Sequence, residues 1–485
     1  MAPISYARRL TDMALQAPDA PAITCGDDQL TRAVLESRAN RLARDLAGAG
    51  VTVGDMVTIA LPNSVDWFVA AAAAWKLGAT PQPVSARLPG RELEAIIDLA
   101  DPKAIFGVDP AAAPGRACYP LGYEPVSADD SPLPDAVSPA WKAPTSGGST
   151  GRPKLIVSGD AALTDPESPP LLFPAGSCLV MPGPLYHNGP LVWSCGAWLA
   201  GGHVVVLPRF DAEATLAAIE EHRGEVVYLV PTMMKRIWRL PEETRNRYDL
   251  SSLKVVWHLA EPCPPWLKET WIEWLGPERI LELYAGTEGQ SATVISGVEW
   301  LEHRGSVGRP ISGEMRIFGP AGEELAPGEF GEVWMRSGRP TATYRYVGAT
   351  ARTREGGWES LGDMGYMDAD GYLYLGDRQQ DMILTGGANV YPAEVEAAIN
   401  EHPAVRSCAV IGLPDEDKGN VIHAIIECDP GAVTQADLSA FLSDRLVRYK
   451  QPRTIEFVDE PLRDDAGKMR RAALREARLP VDNVR

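Results

Sequence analysis

Short β-branched runs recur along the first half of the chain: HVVVL at 203–207, EVVYLV at 225–230 and LKVVW at 253–257. Helical stretches such as 212–222 lie between them, and this alternation predicts parallel sheets flanked by helices. The apolar run WFVAAAAAW at 67–75 stops at Lys76, well short of the ~18 to 20 residues that a bilayer-spanning helix needs, and predicts a buried helix. The first 18 residues, MAPISYARRLTDMALQAP, lack an apolar leader core and a small-residue cleavage site, and read as an amphipathic helix that stays in place. From 305 to 374 glycines punctuate the strands (SVGRP, GEMRIFG, GEFGEVWMR, GYLYLGD), which predicts a small antiparallel, barrel-like unit. The polar stretch DRQQD at 377–381 then precedes a compact α+β pattern of about a hundred residues, the size of a small domain. The fold class expected is α/β: a large N-terminal domain of two helix-flanked sheets plus a small β-barrel-like unit, followed by an α+β C-terminal domain.

Composition narrows the partners. With 485 residues, 45% of them hydrophobic, the chain exceeds a single core and divides into two or more domains. Its formal charge of −19, from 65 acidic and 46 basic residues, repels phosphate backbones and anionic headgroups. Nucleic acid and membrane surfaces are excluded as partners on that ground, and a cytoplasmic location is expected. Cys25, Cys118, Cys178, Cys195, Cys263, Cys408 and Cys428 are scattered without CxxC or His pairing, so reduced, mostly buried thiols are expected.

The candidate chemistry begins at APTSGGSTGRPKLI, residues 143–156. Consecutive small residues free backbone N–H groups to curl around an anion, and the hydroxyls of Ser146, Ser149 and Thr150 can add donors or hold a metal. GxxxxGK[ST] is absent; Pro153 separates Gly151 from Lys154 and sets the ammonium at the end of the turn as a point charge. Taken alone, such a loop is more often a flexible connector. Further segments follow it: YAGTEG at 284–289, GDMG at 362–365, GDR at 376–378, GGANVYPAEVE at 386–396 and GKMRR at 467–471.

In this order and rough spacing, over nearly the whole chain, these segments resemble the adenylate-forming superfamily of acyl-CoA ligases, luciferases and peptide-synthetase adenylation domains. PLYHNGP at 184–190, AEPCPPWL at 260–267 and the short length are most similar to acid–CoA ligases for bulky polycyclic carboxylates of bile-acid or terpenoid-acid type. The resemblance implies an N-terminal nucleotide- and acyl-binding domain (1–378), a hinge (379–381) pivoting on Gln380 and a mobile C-terminal domain (382–485). It implies that the acid's carboxylate attacks the α-phosphate of Mg²⁺-bound ATP to give acyl-AMP and pyrophosphate. Coenzyme A then displaces AMP. Thr145, Ser146, Gly147, Gly148, Ser149, Thr150, Gly151 and Lys154 would hold the phosphates. Ala260, Glu261, Pro262, Tyr284, Ala285, Gly286 and Thr287 would surround the adenosine, with Asp363 on the ribose hydroxyls and Arg378 beside ribose or phosphate. Glu288 and Thr150 would hold the metal.

Lys468 matches the lysine that bridges carboxylate and α-phosphate, and His187 the residue that gates the acyl pocket. Gly386 and Gly387 would line the CoA channel, where a side chain would block close approach. Tyr186, His187, Asn188, Trp193, Val230, Met233 and Gln290 are the expected acyl-pocket walls; this set holds no Lys or Arg to pair a second carboxylate, so a large, largely apolar monocarboxylic acid is expected. Singly, each residue has a plainer reading: Glu288 as a helix-start carboxylate, Asp363 as a turn residue, Tyr284 as core, His187 as a cap, Lys468 as a solvated charge, and Gly386 and Gly387 as turn glycines.

Three positions depart from the pattern. Leu361 stands where relatives carry Thr, Gln380 where they carry Asp or Lys, and Glu261 puts a carboxylate beside a polyanionic nucleotide. Two other readings therefore stay open: an enzyme that thioesterifies a preformed acyl-adenylate without making it, and an adenylating enzyme that loads a carrier-protein thiol. A noncatalytic binding relative is disfavoured by the joint presence of Lys154, Glu288, Asp363, Arg378 and Lys468. A homodimer is left open.

Overall fold

The computed structural model describes residues 3–88, 90–147, 153–167, 174–378, 381–385, 388–415, 419–464 and 469–479. The β-branched runs form the centre of a large sheet. Strands Ile280–Ala285, Val255–Leu259, Val226–Leu229, Cys178–Met181, His203–Val206 and Pro21–Cys25 lie side by side in parallel, closed at one edge by antiparallel Asp28–Thr31. A second parallel sheet joins Thr80–Pro83, Met56–Ile59, Ala104–Phe106 and Ala117–Tyr119.

The apolar run becomes the helix Val65–Lys76, capped by the Ser64 hydroxyl accepting from Trp67 N at 3.3 Å. It is apolar all round, as a helix buried on every side must be, and it contacts strands of both sheets. Lys76 at its end turns inward to Glu36 Oε1 at 2.7 Å instead of reaching solvent. None of the described helices is long and apolar enough to cross a membrane.

The glycine-punctuated segment continues the large sheet through Ala292–Ser296 and Ser306–Ser312 into antiparallel Leu373–Arg378, Asp363–Met367 and Gly331–Arg336. It is thus a hydrogen-bonded extension of that sheet. A separate three-stranded sheet pairs Thr145–Gly147 with Pro153–Ser158 and Pro153–Ser158 with Tyr344–Val347.

After residue 388 the chain builds its own core around Val390, Val395, Ile399, Val410, Ile422, Ile426 and Leu438. Ser407–Asp415, Gly419–Glu427 and Thr454–Val458 form its sheet, with helices Pro392–Asn400 and Gln435–Ser443. The short helix Pro231–Trp238 of the large unit docks on it: Lys235 Nζ donates to Asn400 Oδ1 at 2.9 Å, and Arg239 donates to Pro403 O at 3.2 Å and Val405 O at 2.5 Å. These cations sit at the C-terminal end of Pro392–Asn400, where its carbonyls lack helical partners.

The strands Val255–Leu259 and Ile280–Ala285 matter most for position, because they lead into 260–262 and 284–288. A buried ion pair ties them to the helix Pro265–Leu275: Lys268 Nζ lies 2.6 Å from Glu282 Oε2, with the His258 ring 3.9 Å away and held neutral by burial and the Lys268 charge. Removing one partner strands a buried charge. Lys268→Met should therefore lower stability by about 3 to 5 kcal/mol, whereas the double change Lys268→Met with Glu282→Leu should recover most of the loss. Thermal midpoints of the three proteins check this.

Candidate active site

The hairpin Thr145–Gly147/Pro153–Ser158 sets Ser146 and Lys154 opposite each other in register. Its outer partner Tyr344–Val347 brings in Tyr346, and the loop after Ile280–Ala285 brings in Glu288. The three converge. Tyr346 donates its hydroxyl to Glu288 Oε1 at 2.5 Å, Lys154 Nζ lies 3.5 Å from the same oxygen, and that ammonium sits 3.9 Å above the Tyr346 ring. Thr343 fixes the backbone by donating to Glu288 O at 2.8 Å. Glu288 Oε2 takes no hydrogen bond from the described residues, which leaves it an oxygen to offer. A Cβ on Gly286 would lie 2.3 Å from Leu361 Cδ1 and 3.1 Å from that Oε2, so only glycine lets the loop pass here.

Beside this cluster, Tyr284 donates its hydroxyl to Asp363 Oδ2 at 2.7 Å. Asp363 and Arg378 are backbone partners across the antiparallel pair Asp363–Met367/Leu373–Arg378, so two motifs distant from each other in spacing meet at one place; of Arg378 the backbone alone is described. Ala285 and Thr287 follow in the same loop, Ala285 exposed and Thr287 half-buried. Gln290 is buried and donates to Glu359 Oε2 at 2.9 Å, which also accepts from Tyr344 at 2.7 Å. It is thereby tied into the Tyr344 side of the site. Thr145 is held by Gln82 Nε2 at 2.9 Å.

On the acyl side, His187 occupies the N-cap position of helix Asn188–Leu199 but its side chain makes no capping bond. Its ring packs on Tyr186 at 4.3 Å, and its Nε2 lies 3.8 Å from Asp464 Oδ2 of the C-terminal unit. Trp193 meets Tyr228 and Trp257 edge-on at 5.5 and 5.6 Å. A Cβ on Gly189 would stand 2.2 Å from the Tyr228 hydroxyl, so the glycine lets the helix start lie directly on this aromatic group. Trp193, Val230 and Met233 are buried in the main core, whereas Tyr186, His187 and Asn188 are half-buried. A cation stands beside Asn188: Lys142, only 8% exposed, donates to Asn188 Oδ1, and burial pushes its ammonium down to about 8. Its position in WKAP, before a loop read only for phosphate contacts, gave no sign of this.

Glu261 turns toward the start of helix Pro231–Trp238. Its Oε2 accepts from Thr232 Oγ1 at 2.8 Å and Thr232 N at 3.2 Å, at the start of helix Pro231–Trp238, and its Oε1 is enclosed without a hydrogen bond among the described residues. Ala260, with φ of 74°, turns the chain so that the next side chain points that way. Pro262 lines a cavity of about 380 Å³ between the units, with Phe330 opposite Tyr391. Gly148, Ser149, Thr150, Gly151, Gln380, Gly386, Gly387 and Lys468 lie outside the described residues. Tyr346, Thr232 and Lys142 were missed by the sequence reading; Tyr344 and Tyr346 carry the one legible signal, a strand period that puts both rings on one face.

Burial is the main cause that raises the Glu261 carboxyl to about 7 from an ordinary 4.5, against the pull of Arg463. A carboxyl raised by folding adds stability below its unfolded value and loses it as pH rises through the folded one. Between about pH 5 and pH 8 the native protein should therefore lose thermal stability relative to Glu261→Gln, whose Thr232 contact persists without a titration. Parallel melting curves across that range would refute the assignment.

Comparison with known proteins fits this geometry. The profile of the family described as AMP-binding enzyme matches residues 10–345, and that of the AMP-binding enzyme C-terminal domain matches 394–468. The chain is 34% identical over 480 residues to the feruloyl-CoA synthase of an Amycolatopsis species, covering 95% of this chain and 96% of that one. It is 30% identical over 493 residues to the fatty acid–acyl-carrier-protein ligase ScoC of Streptomyces coeruleorubidus, covering 95% and 93%. Its fold matches o-succinylbenzoate CoA synthetase from Bacillus subtilis in complex with an acyl-adenylate intermediate, with a TM-score of 0.83, 25% identity and 99% of each chain covered. The chain belongs to the AMP-binding enzyme family and is an AMP-forming acid–CoA ligase that works through an acyl-adenylate.

Proposed function

We propose that the acid is a bulky, largely apolar monocarboxylic acid, with aromatic acids as its first candidates. The observation that carries this is the Trp193–Tyr228–Trp257 group directly against the start of helix Asn188–Leu199, where the acyl chain would enter past His187. The relatives reported above carry an aryl acid, a fatty acid and succinylbenzoate in their names. Those names favour aromatic and extended acids; the polycyclic placement draws nothing from them.

In this reading Lys154 and the hairpin loop hold the β,γ-phosphates, Tyr284 faces adenine and Asp363 takes the ribose hydroxyls. Catalysis of phosphoryl-type transfer is mostly positioning and charge neutralisation, which an ammonium and oriented donors supply. The residues fit Mg²⁺: one buried carboxylate with a free oxygen, beside phosphates that complete the shell, is the usual mode for that ion. When bound by Glu288, it would neutralise charge on the triphosphate. The carboxylate oxygen of the acid attacks the α-phosphorus, the bond to the β-phosphate oxygen breaks, and pyrophosphate leaves. The thiolate of CoA then attacks the acyl carbon and AMP leaves with the bonding pair. Lys468 would serve the first step and Gly386 and Gly387 the second, with the chain turning at Gln380 between domains 1–378 and 382–485. Glu261, engaged with Thr232, removes one objection to the first step.

The name of the carrier-protein ligase favours a second reading, in which a carrier thiol replaces CoA. ATP–pyrophosphate exchange and thioester formation, run over aryl, polycyclic, long-chain, short-chain and dicarboxylic acids with CoA or a carrier protein, decide among these. Bulky aromatic monocarboxylates with CoA should give kcat/KM at least about tenfold above short acids, as one to three methylene-scale contacts would. Preference for short or dicarboxylic acids would overturn the acid assignment. Exchange without CoA turnover would favour the carrier.

A further inference from the structure

Lys142 is a buried cation that the chemistry above does not use. It leaves the chain just before the hairpin, where its carbonyl accepts from Ser158 N at 3.0 Å, and its side chain runs along helix Asn188–Leu199. The ammonium has three donors. Among the described residues it fills one, on Asn188 Oδ1, and it rests 4.8 Å from the face of the Trp141 ring. It forms no ion pair with a described carboxylate; Cys195 of the helix, Glu288 and Asp160 act on it only electrostatically. A buried ammonium with unfilled donors is costly to the fold unless something completes it. Glu288 and Asp160 offset that burial only in part. What it lacks is an acceptor atom.

We propose that Lys142 is a specificity-determining residue: with Asn188 it binds a neutral, hydrogen-bond-accepting oxygen, such as a hydroxyl, ether or ketone, carried by the acid away from the carboxylate that reacts. This rests on the reading of Asn188 as part of the acyl site. Lys142 then explains why a lysine stands at a position whose neighbours, Trp141, Ala143 and Cys195, are apolar. It also fits a monocarboxylic acid, since the field of Glu288 and Asp160 would oppose a second carboxylate there.

The test uses the full-length protein and three matched acids: cinnamic, 4-hydroxycinnamic and 4-carboxycinnamic acid, each assayed by pyrophosphate release. The native enzyme should favour the hydroxy acid over the plain one by about tenfold in kcat/KM, the value of one charge-assisted hydrogen bond, and should disfavour the carboxy acid. Lys142→Met should bring the hydroxy-to-plain ratio close to one. It should also raise the thermal midpoint, because an under-satisfied buried charge is replaced by a chain of similar shape. Lys142→Gln, which keeps a donor, should retain part of the ratio. The inference is overturned if Lys142→Met keeps the native ratio, if it unfolds or melts lower, or if the native enzyme prefers the carboxy acid.

Asn188→Leu separates this from the reading beneath it. If that variant leaves the ranking of acids untouched, the acyl-site reading itself fails. If it shifts the ranking while Lys142→Met does not, this inference alone fails.

Discussion

The site depends on holding Lys154, Glu288 and Tyr346 against one another. A carboxylate as buried as Glu288 is tolerated only when its charge is met, and here one oxygen takes both the ammonium at 3.5 Å and the phenol at 2.5 Å. The Tyr346 ring under the ammonium adds a cation–π contact and leaves the cation aimed across the hairpin. The three residues come from three distant segments. The small sheet that pairs Pro153–Ser158 with both Thr145–Gly147 and Tyr344–Val347 exists, in functional terms, to bring two of them together.

The same logic runs down the main sheet. Glu282 and His258 sit two residues before Tyr284 and Ala260, so the buried Lys268–Glu282 pair fixes the strands from which the segments 260–262 and 284–288 emerge. One step further along, Glu261 joins the end of its strand to the start of the helix Pro231–Trp238, and that helix carries Lys235 and Arg239 to the C-terminal unit. Arg463 and Asp464, from the C-terminal unit, also act on the Glu261 carboxyl.

Local pattern made much of this legible. The β-branched runs became the parallel strands, the alanine-rich run became a buried helix, and the α+β texture after 388 became a unit with its own core, because each signal is carried by residues near in sequence. What escaped was set by tertiary contact: Tyr346 reaches Glu288 only through strand pairing, Thr232 meets Glu261 only because Ala260 adopts a left-handed backbone, and Lys142 joins Asn188 only where two elements cross. The glycine-rich strands are antiparallel as their texture suggested, but strand alternation says nothing about which neighbour continues a sheet, so their attachment to the large one was not legible. The helix ends at Lys76, where the apolar run stops, but that its ammonium is buried against Glu36 was not legible from the run.

If Glu288 serves adenylation as proposed, Tyr346 must support it through the hydrogen bond to that carboxylate and not by packing alone. A double-mutant cycle of Tyr346→Phe and Glu288→Gln, read in the rate of acyl-adenylate formation with folding checked by thermal midpoint, measures that coupling directly. The account predicts that the two changes are not additive, with a coupling of at least about 1 kcal/mol. Additivity within about 0.3 kcal/mol would show that the phenol and the carboxylate work independently, and would contradict it.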